Sequence, residues 1–464
     1  MDLHDSFTTA VFSHLTNNKS DKFKGGLIKT HTDSLDKYGE YSFPLKIEPW
    51  IHYIKSAENN AINDFKTIFE YTYRNITLDE ACEKFCGNSK DWPFKIQRCD
   101  VKNGRIHIFL DRISTTRLCL EKLSNLLEFK NSQTETIKLS VVEKLDDDIS
   151  SKRLHLLCDV FRNLVILKGD VITQQDSSEN YRRHIYFTRK SNDKVFEDST
   201  NIFCAAVLNK KTGAKETELT PDLSLGNVCS ETDNNYLNII RKENGLDMQL
   251  MAEHKYGLRV KDEDRWKVFL NQLGDAAVTF DLLQIRPSNP VTISTNDNGT
   301  GNSKGASFVL YNGARLASII DTFNNNVRSD HYPPLPALNE TNTELLNDEV
   351  NYKKKNFFLN YNFGPFFDHN RSSVFNYILA YPGIIKKCLD YDSKESILAP
   401  HLLCTFLSGM TGRISMYYRR VRILMEPRKH LISLIHARVQ LLLALQIVLK
   451  HALKILNIVP VAQM

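Results

Sequence analysis

The sequence predicts a multidomain α+β protein. An N-terminal α/β domain covers residues 1–130, a reduced Rossmann-like α/β domain covers 131–295, and an all-α helical bundle covers 296–464. Three observations carry this reading. A strand, tight turn, strand and helix follow one another around Asn103-Gly104; the middle third alternates short strand-like runs with polar loops; and everything after Ala306 has helical spacing. At 464 residues the chain exceeds what one hydrophobic core serves, and 42% hydrophobic with 25% charged residues is globular composition.

Residues 1 to about 90 read as helices and loops, because "AINDFKTIFEYTY" and "TLDEACEKFC" place apolar residues three or four apart. Phe94 and Ile96 then alternate with polar residues, Asn103-Gly104 is a hairpin turn, and Ile106, Ile108 and Leu110 alternate again. Leu118 to Leu127 takes up helical spacing. In the middle domain "RNLVILKGDVI", "HIYFTR", "IFCAAVLN" and "AAVTFDLLQI" are the strand-like runs. The linker "NPVTISTNDNGTGNSKG" closes that domain. Four helical stretches follow, beginning "ASFVLYNGARLASIIDTF", "SSVFNYILAYPGIIKKCLDY", "ILAPHLLCTFLSGMTGRISMYYRRVRIL" and "HARVQLLLALQIVLKHALKILNIV", with a polar insertion near residues 325–350. In the last of them Leu442, Leu445, Leu449, Leu453 and Leu456 share a face, and Gln446, Lys450, Lys454 and Asn457 follow on another.

Charge is unevenly distributed. From Lys394 to Met464 ten Lys and Arg face two Glu, a net +8, while the rest of the chain carries −3 of the overall +5. An anionic partner therefore belongs to the last domain. The opening residues have Asp2 and Asp5 where a signal peptide is basic, and the apolar run at Leu441 to Leu449 is broken by Gln446 and Lys450, too short and polar to span a bilayer. The expectation is a soluble, cytoplasmic protein with no membrane contact. Nine cysteines, scattered singly with Cys82 and Cys86 the near pair, lack zinc-ligand spacing and read as reduced thiols.

Motifs for catalysis are absent. Glycines one residue apart occur at Gly299 and Gly301, inside the polar linker rather than between strand and helix, so neither a dinucleotide nor an S-adenosylmethionine loop is present, and there is no P-loop. No cofactor is expected. Asp146 to Asp148 read as a solvated charge run rather than a magnesium cluster, and His155 and His184 have no partner visible in the sequence. "GRISMYYRRVRIL" is different: Tyr417 and Tyr418 abut Arg419, Arg420 and Arg422, and aromatic faces beside guanidinium groups suit unstacked bases and phosphates of single-stranded RNA. The alternative is a buried Tyr417 with solvated arginines. Lys353 to Lys355 also sit among aromatics, in "NYKKKNFFLNYNFGPFF", whose many Phe residues look like core.

These residues carry a resemblance. "FVLYNGARLASII", with Tyr311 followed four residues later by Arg315, resembles the opening helix of the DALR anticodon-binding domain of arginyl-tRNA synthetases. "LLCTFLSGMTGRISMYYRRVRIL" resembles the helix whose aromatic end meets the anticodon loop, and "ARVQLLLALQIVLKHALKILNIVPVAQM" resembles the closing helix with its terminal methionine. The "NGRIHIFLDRI" hairpin is more loosely similar to the additional domain of those enzymes. The resemblance implies that Tyr311, Arg315, Tyr418 and Met464 touch an anticodon loop; Arg413, Arg419, Arg420, Arg422, Arg438 and Lys450 are the further candidate tRNA-binding residues. Arg422 stands where some members have an aromatic, one turn after Tyr418.

The adenylating machinery does not accompany the resemblance. No two of the fourteen histidines are three apart, as a HIGH motif needs, and no methionine sits in a KMSK-like setting. The pattern resembles the non-catalytic DALR anticodon-binding domain-containing proteins. That family implies an arginine-tRNA-binding adaptor partnered with a 3-methylcytidine tRNA methyltransferase that acts on position 32 of the anticodon loop. The alternatives are a divergent arginyl-tRNA synthetase and a scaffold that binds only protein.

Overall fold

The computed structural model describes residues 3–17, 26–31, 35–54, 65–123, 134–141, 149–173, 183–189, 200–209, 264–293, 304–338, 341, 374–391 and 397–460. Asp146 to Asp148, Gly299, Gly301, Lys353 to Lys355 and Met464 lie outside them.

The N-terminal segment contains α1 (Leu3–Thr16), β1 (Lys29–Thr30), α2 (Leu35–Tyr38), β2 (Tyr41–Pro44), α3 (Ile68–Thr72), α4 (Leu78–Asn88), β3 (Ile96–Lys102), β4 (Arg105–Leu110) and α5 (Arg112–Glu121). The strands form an antiparallel sheet in the order β1-β2-β4-β3. Asn103 and Gly104 have φ of 51° and 69°, the two left-handed residues a tight hairpin turn requires, which is why that dipeptide identifies it. Thr77 and Glu80 form a reciprocal cap at the start of α4: the Glu80 amide donates to Thr77 Oγ1 at 3.3 Å and the Thr77 amide donates to Glu80 Oε2 at 2.8 Å. Helix α5 begins at Arg112, six residues before the spacing of Leu118 to Leu127 suggests.

The core here is aromatic. Phe7, Tyr41, Phe43, Trp50, Phe69, Phe85 and Phe94 are all buried, and Phe43 meets Trp50, Phe69 and Phe85 edge-on. Gly39 brings α2 against the sheet: at φ +63° it approaches β4 so closely that a Cβ would lie 2.1 Å from the Ile108 carbonyl oxygen. The next residue, Glu40, donates its amide to that same oxygen at 2.9 Å and buries its carboxylate against Arg112 Nε, also at 2.9 Å.

The middle segment contains β5 (Thr136–Val141), α6 (Ile149–Leu167), β6 (Val171–Thr173), β7 (Arg183–Thr188), β8 (Thr200–Phe203), β9 (Val207–Asn209), α7 (Asp264–Leu283) and β10 (Val291–Ile293). Strands β6-β5-β7-β8 make a wholly parallel sheet, and β9 pairs with β10, also in parallel. A parallel sheet needs crossover connections, and α6 is one, between β5 and β6. Phe161 of α6 packs edge-on against Phe187 of β7, with ring centroids 5.6 Å apart.

Two runs read as strands from the sequence are helical. "RNLVIL" completes α6 and "AAVTFDLL" completes α7, leaving only Val171 and Ile172 of the first run in a strand. A short continuous apolar run carries no period of its own. Within α6, Leu154, Leu157, Phe161, Leu164 and Val165 recur at helical spacing, and all are buried.

Arg153 is the unexpected member of this core. Its side chain is fully buried, and the guanidinium donates to five backbone carbonyls: Leu282 at the end of α7, Ile285, Arg286 and Asn289 beyond it, and Ala205. Helix ends leave carbonyls without intrahelical partners, and one planar cation with five N–H groups satisfies several at once.

The C-terminal segment contains α8 (Lys304–Arg328), α9 (Phe375–Cys388), β11 (Leu389–Asp390), β12 (Ile397–Leu398), α10 (Pro400–Arg420) and α11 (Lys429–Ile455). Leu442, Leu445, Leu449, Leu453 and Leu456 are buried, while Lys450, Lys454 and Asn457 are exposed and Gln446 half-buried, as the helical stripe predicts. By length and composition α11 could cross a membrane, but that leucine face is covered by protein. The chain divides into two compact units. One comprises Met1–Leu127, Asn325–Gly383 and Tyr417–Leu445; the other comprises Glu128–Asn324, Ile384–Met416 and Gln446–Met464.

Candidate nucleic-acid interface

In the first unit the basic residues lie at the end of α10 and in the turn that follows. Tyr417 and Tyr418 have opposite fates: Tyr417 is 8% exposed and belongs to the core, whereas Tyr418 is 36% exposed. Arg419 and Arg420 are exposed in the last turn of α10, where cations also complement the helix dipole. Arg422 is exposed just beyond it.

The turn from Val421 to Arg428 is held from two sides. Arg438, in the third turn of α11, reaches back so that Nη1 donates to the Arg422 carbonyl at 2.8 Å and lies 3.8 Å from Met425 Sδ. Tyr332 donates its hydroxyl to the Met425 carbonyl at 2.7 Å. The segment after Tyr332 then follows α11, with His436 Nε2 3.3 Å from the Pro333 carbonyl and Gln440 donating to the Pro336 carbonyl at 3.2 Å. Arg438 thus positions the turn from which Arg422 projects, while Arg419 and Arg420 are exposed at the helix end before it.

Sequence reasoning did not nominate Arg428, Lys429 and His430, which are exposed where α11 begins. They add cationic side chains next to the same turn, and Glu426 is the acidic residue within it. Their nearness in sequence to Arg422, across a Pro427 that precedes the helix, is the signal that could have found them.

In the second unit, Tyr311 and Arg315 occupy successive turns of α8 and are half-buried. Gly313, between them, faces α11: a Cβ there would lie 3.2 Å from Leu449 Cδ2. Lys450, next to Leu449, is exposed, and Arg413 is half-buried in α10. The sequence-nominated residues are therefore divided, with Tyr418, Arg419, Arg420, Arg422 and Arg438 in one unit and Tyr311, Arg315, Arg413 and Lys450 in the other.

Among the described residues no three His, Cys, Asp or Glu side chains gather as a metal ion requires. His184 does have partners: its ring nitrogens lie 2.8 Å from Ser140 Oγ and 2.9 Å from Tyr186 Oη. The parallel pairing of β5 with β7 supplies Ser140, which a single sequence does not reveal, while Tyr186 lies two residues on in the same strand. His155 is exposed.

Comparison with known proteins bears on this geometry. A family model for the DALR anticodon binding domain matches residues 309–464. DALR anticodon-binding domain-containing protein 3 of Rattus norvegicus is 26% identical over 214 residues, 46% of this chain and 36% of the rat protein. The protein of that name from Danio rerio is 28% identical over 225 residues, 47% of this chain and 37% of its own length. The chain thus matches little more than a third of the length of these relatives. Among solved structures, an arginyl-tRNA synthetase from Thermus thermophilus aligns with a TM-score of 0.55 at 10% identity, covering 98% of this chain and 99% of that one. Arginyl-tRNA synthetase from Plasmodium falciparum aligns with a TM-score of 0.57 at 11% identity, covering 99% of both. At such identities the likeness is one of fold. Residues 309–464 carry a DALR anticodon binding domain, in a chain with the fold of the arginyl-tRNA synthetases.

Proposed function

We propose that this chain binds arginine tRNAs through its DALR domain and acts as a non-catalytic adaptor, delivering them to a 3-methylcytidine tRNA methyltransferase that modifies C32 of the anticodon loop. The observation that carries the RNA-binding step is the projection of Tyr418, Arg419, Arg420 and Arg422 from the end of α10, inside the segment matched by the anticodon-binding family. An exposed aromatic face offers a base a stacking platform worth about 1–3 kcal/mol, and the guanidinium groups meet phosphates. The methyl donor would be bound by the partner. A cytoplasmic location accompanies this reading.

The test is to purify the protein from cells in gentle salt and sequence the RNA that accompanies it. Enrichment of one or two arginine tRNAs supports the recognition step and directs the next assay to 3-methylcytidine in those tRNAs. A profile matching total tRNA sinks it and leaves a scaffold. The synthetase alternative predicts pyrophosphate exchange dependent on ATP and arginine, and its detection would replace the adaptor reading.

A further inference from the structure

Three cysteines of the N-terminal segment converge where α4 packs on β3. Cys82 and Cys86 occupy successive turns of α4, Cys99 lies in β3, and all three are half-buried. Cys86 Sγ and Cys99 Sγ share a hydrogen bond only 3.7 Å long. Two sulfurs in van der Waals contact on adjoining elements, in residues that are both partly exposed, are placed to approach the roughly 2.05 Å of a disulfide.

We propose that Cys86 and Cys99 are a redox pair that a hydroperoxide closes to a disulfide, fastening α4 to β3. The thiolate of Cys86 attacks the peroxide oxygen, giving a sulfenic acid and releasing an alcohol, or water when the oxidant is hydrogen peroxide. Cys99, losing its proton, attacks the Cys86 sulfur and expels the hydroxyl group as water. Two thiols thereby give up two electrons, one peroxide O–O bond is cleaved, and one S–S bond forms.

The surroundings assign these roles. The hydrogen-bonding contact with Cys99 holds the Cys86 thiol below its ordinary pKa, outweighing partial burial and the nearby Glu83. The same bond, with burial and Asp100, pushes Cys99 up, so it stays protonated until the sulfenic acid draws it in. Cys82 is pushed up to about 11 by burial, by Cys86 and by Asp79, which makes it the poorer nucleophile.

Tryptic peptides separate the possibilities, because cleavage after Lys84, Lys90, Arg98 and Lys102 places Cys82, Cys86 and Cys99 in three different peptides. The full chain, reduced and freed of reductant, is treated with stoichiometric hydrogen peroxide, alkylated, digested and analysed by mass spectrometry. The expected product joins residues 85–90 to 99–102 in most molecules and disappears on treatment with dithiothreitol. Cys82→Ser should give the same yield, and Cys99→Ser should leave a sulfenic acid at Cys86 that dimedone traps. Recovery of both peptides alkylated, or a cross-link that includes Cys82, overturns the proposal, and the wild-type measurement stands whether or not a variant folds.

Discussion

The Arg438 guanidinium donates to the backbone carbonyl of Arg422 at 2.8 Å, so one arginine of the last helix holds the turn from which another projects. Charge and position are thereby divided between residues that look alike in the sequence. Replacing Arg438 with Ala should lower unfolding free energy by about 1 kcal/mol, the usual net worth of such a bond, and weaken tRNA binding through the loosened turn. Denaturant melts and filter binding test both. Full affinity in a folded R438A protein would count against the positioning role.

Replacing Arg419, Arg420 and Arg422 together with Ala should leave the thermal midpoint nearly unchanged, because all three are exposed. If each meets a phosphate, the slope of log affinity against log salt should become shallower by roughly 2 to 3. Titrations at several salt concentrations measure it, and an unaltered slope removes these residues from the interface.

Arg153 is buried with no carboxylate among the partners named above, and its removal strands the carbonyls it serves. Arg153→Met, similar in length and apolar, should cost about 3 kcal/mol or more, since several buried acceptors lose their donor together. Urea unfolding monitors this. A loss below about 1 kcal/mol would mean that water replaces the guanidinium.

Two glycines should respond differently to alanine. At Gly39 a Cβ would meet the Ile108 backbone oxygen at 2.1 Å and the φ is +63°, so Gly39→Ala should cost about 3 kcal/mol or more. At Gly313 the obstacle is the tip of the Leu449 side chain at 3.2 Å, within a helix that favours alanine by about 1 kcal/mol, so the net change should be small. Gly313→Val should be clearly destabilising. Thermal midpoints of the three variants would rank them, and a well-tolerated Gly39→Ala would contradict the close approach of α2 to β4.

Asp281 and His451 should drive stability in opposite directions over overlapping pH ranges. Burial raises the Asp281 carboxyl from 3.8 to about 7, so the native state holds a proton that the unfolded chain releases, and stability falls as pH rises from about 4 to 7. Burial, with Lys454 adding to it, lowers His451 from 6.5 to about 4, so the unfolded chain binds the proton first, and stability falls as pH drops from 6.5 to 4. Asp281→Asn should therefore expose a steeper loss in acid, and His451→Gln should make it shallower. Unfolding free energies at half-unit pH intervals decide it; parallel curves for both variants and the wild type would reject both assignments.

Local chemistry was legible wherever neighbours in the chain decide the backbone. Asn103-Gly104 marks its turn because two left-handed residues are needed there, and the leucines of α11 mark their face by spacing alone. The family of the last domain was legible for the same reason: its helices carry Tyr311, Arg315, Tyr418 and the basic turn in order along one stretch of sequence.

Tertiary structure decided what depends on residues far apart. The runs at 162–167 and 276–283 are helical because they extend longer amphipathic helices, not because of any signal of their own. Tyr417 is core and Tyr418 is exposed because α10 turns one toward its packing partners and the other away, which adjacency in sequence cannot express. Arg153 reaches carbonyls up to 136 residues away, and Cys86 meets Cys99 across a helix and a strand. Spacing along the chain sets which backbone conformations are cheap; burial and long-range hydrogen bonds exist only once distant segments have closed on one another, and they determine what each cysteine, tyrosine or arginine does.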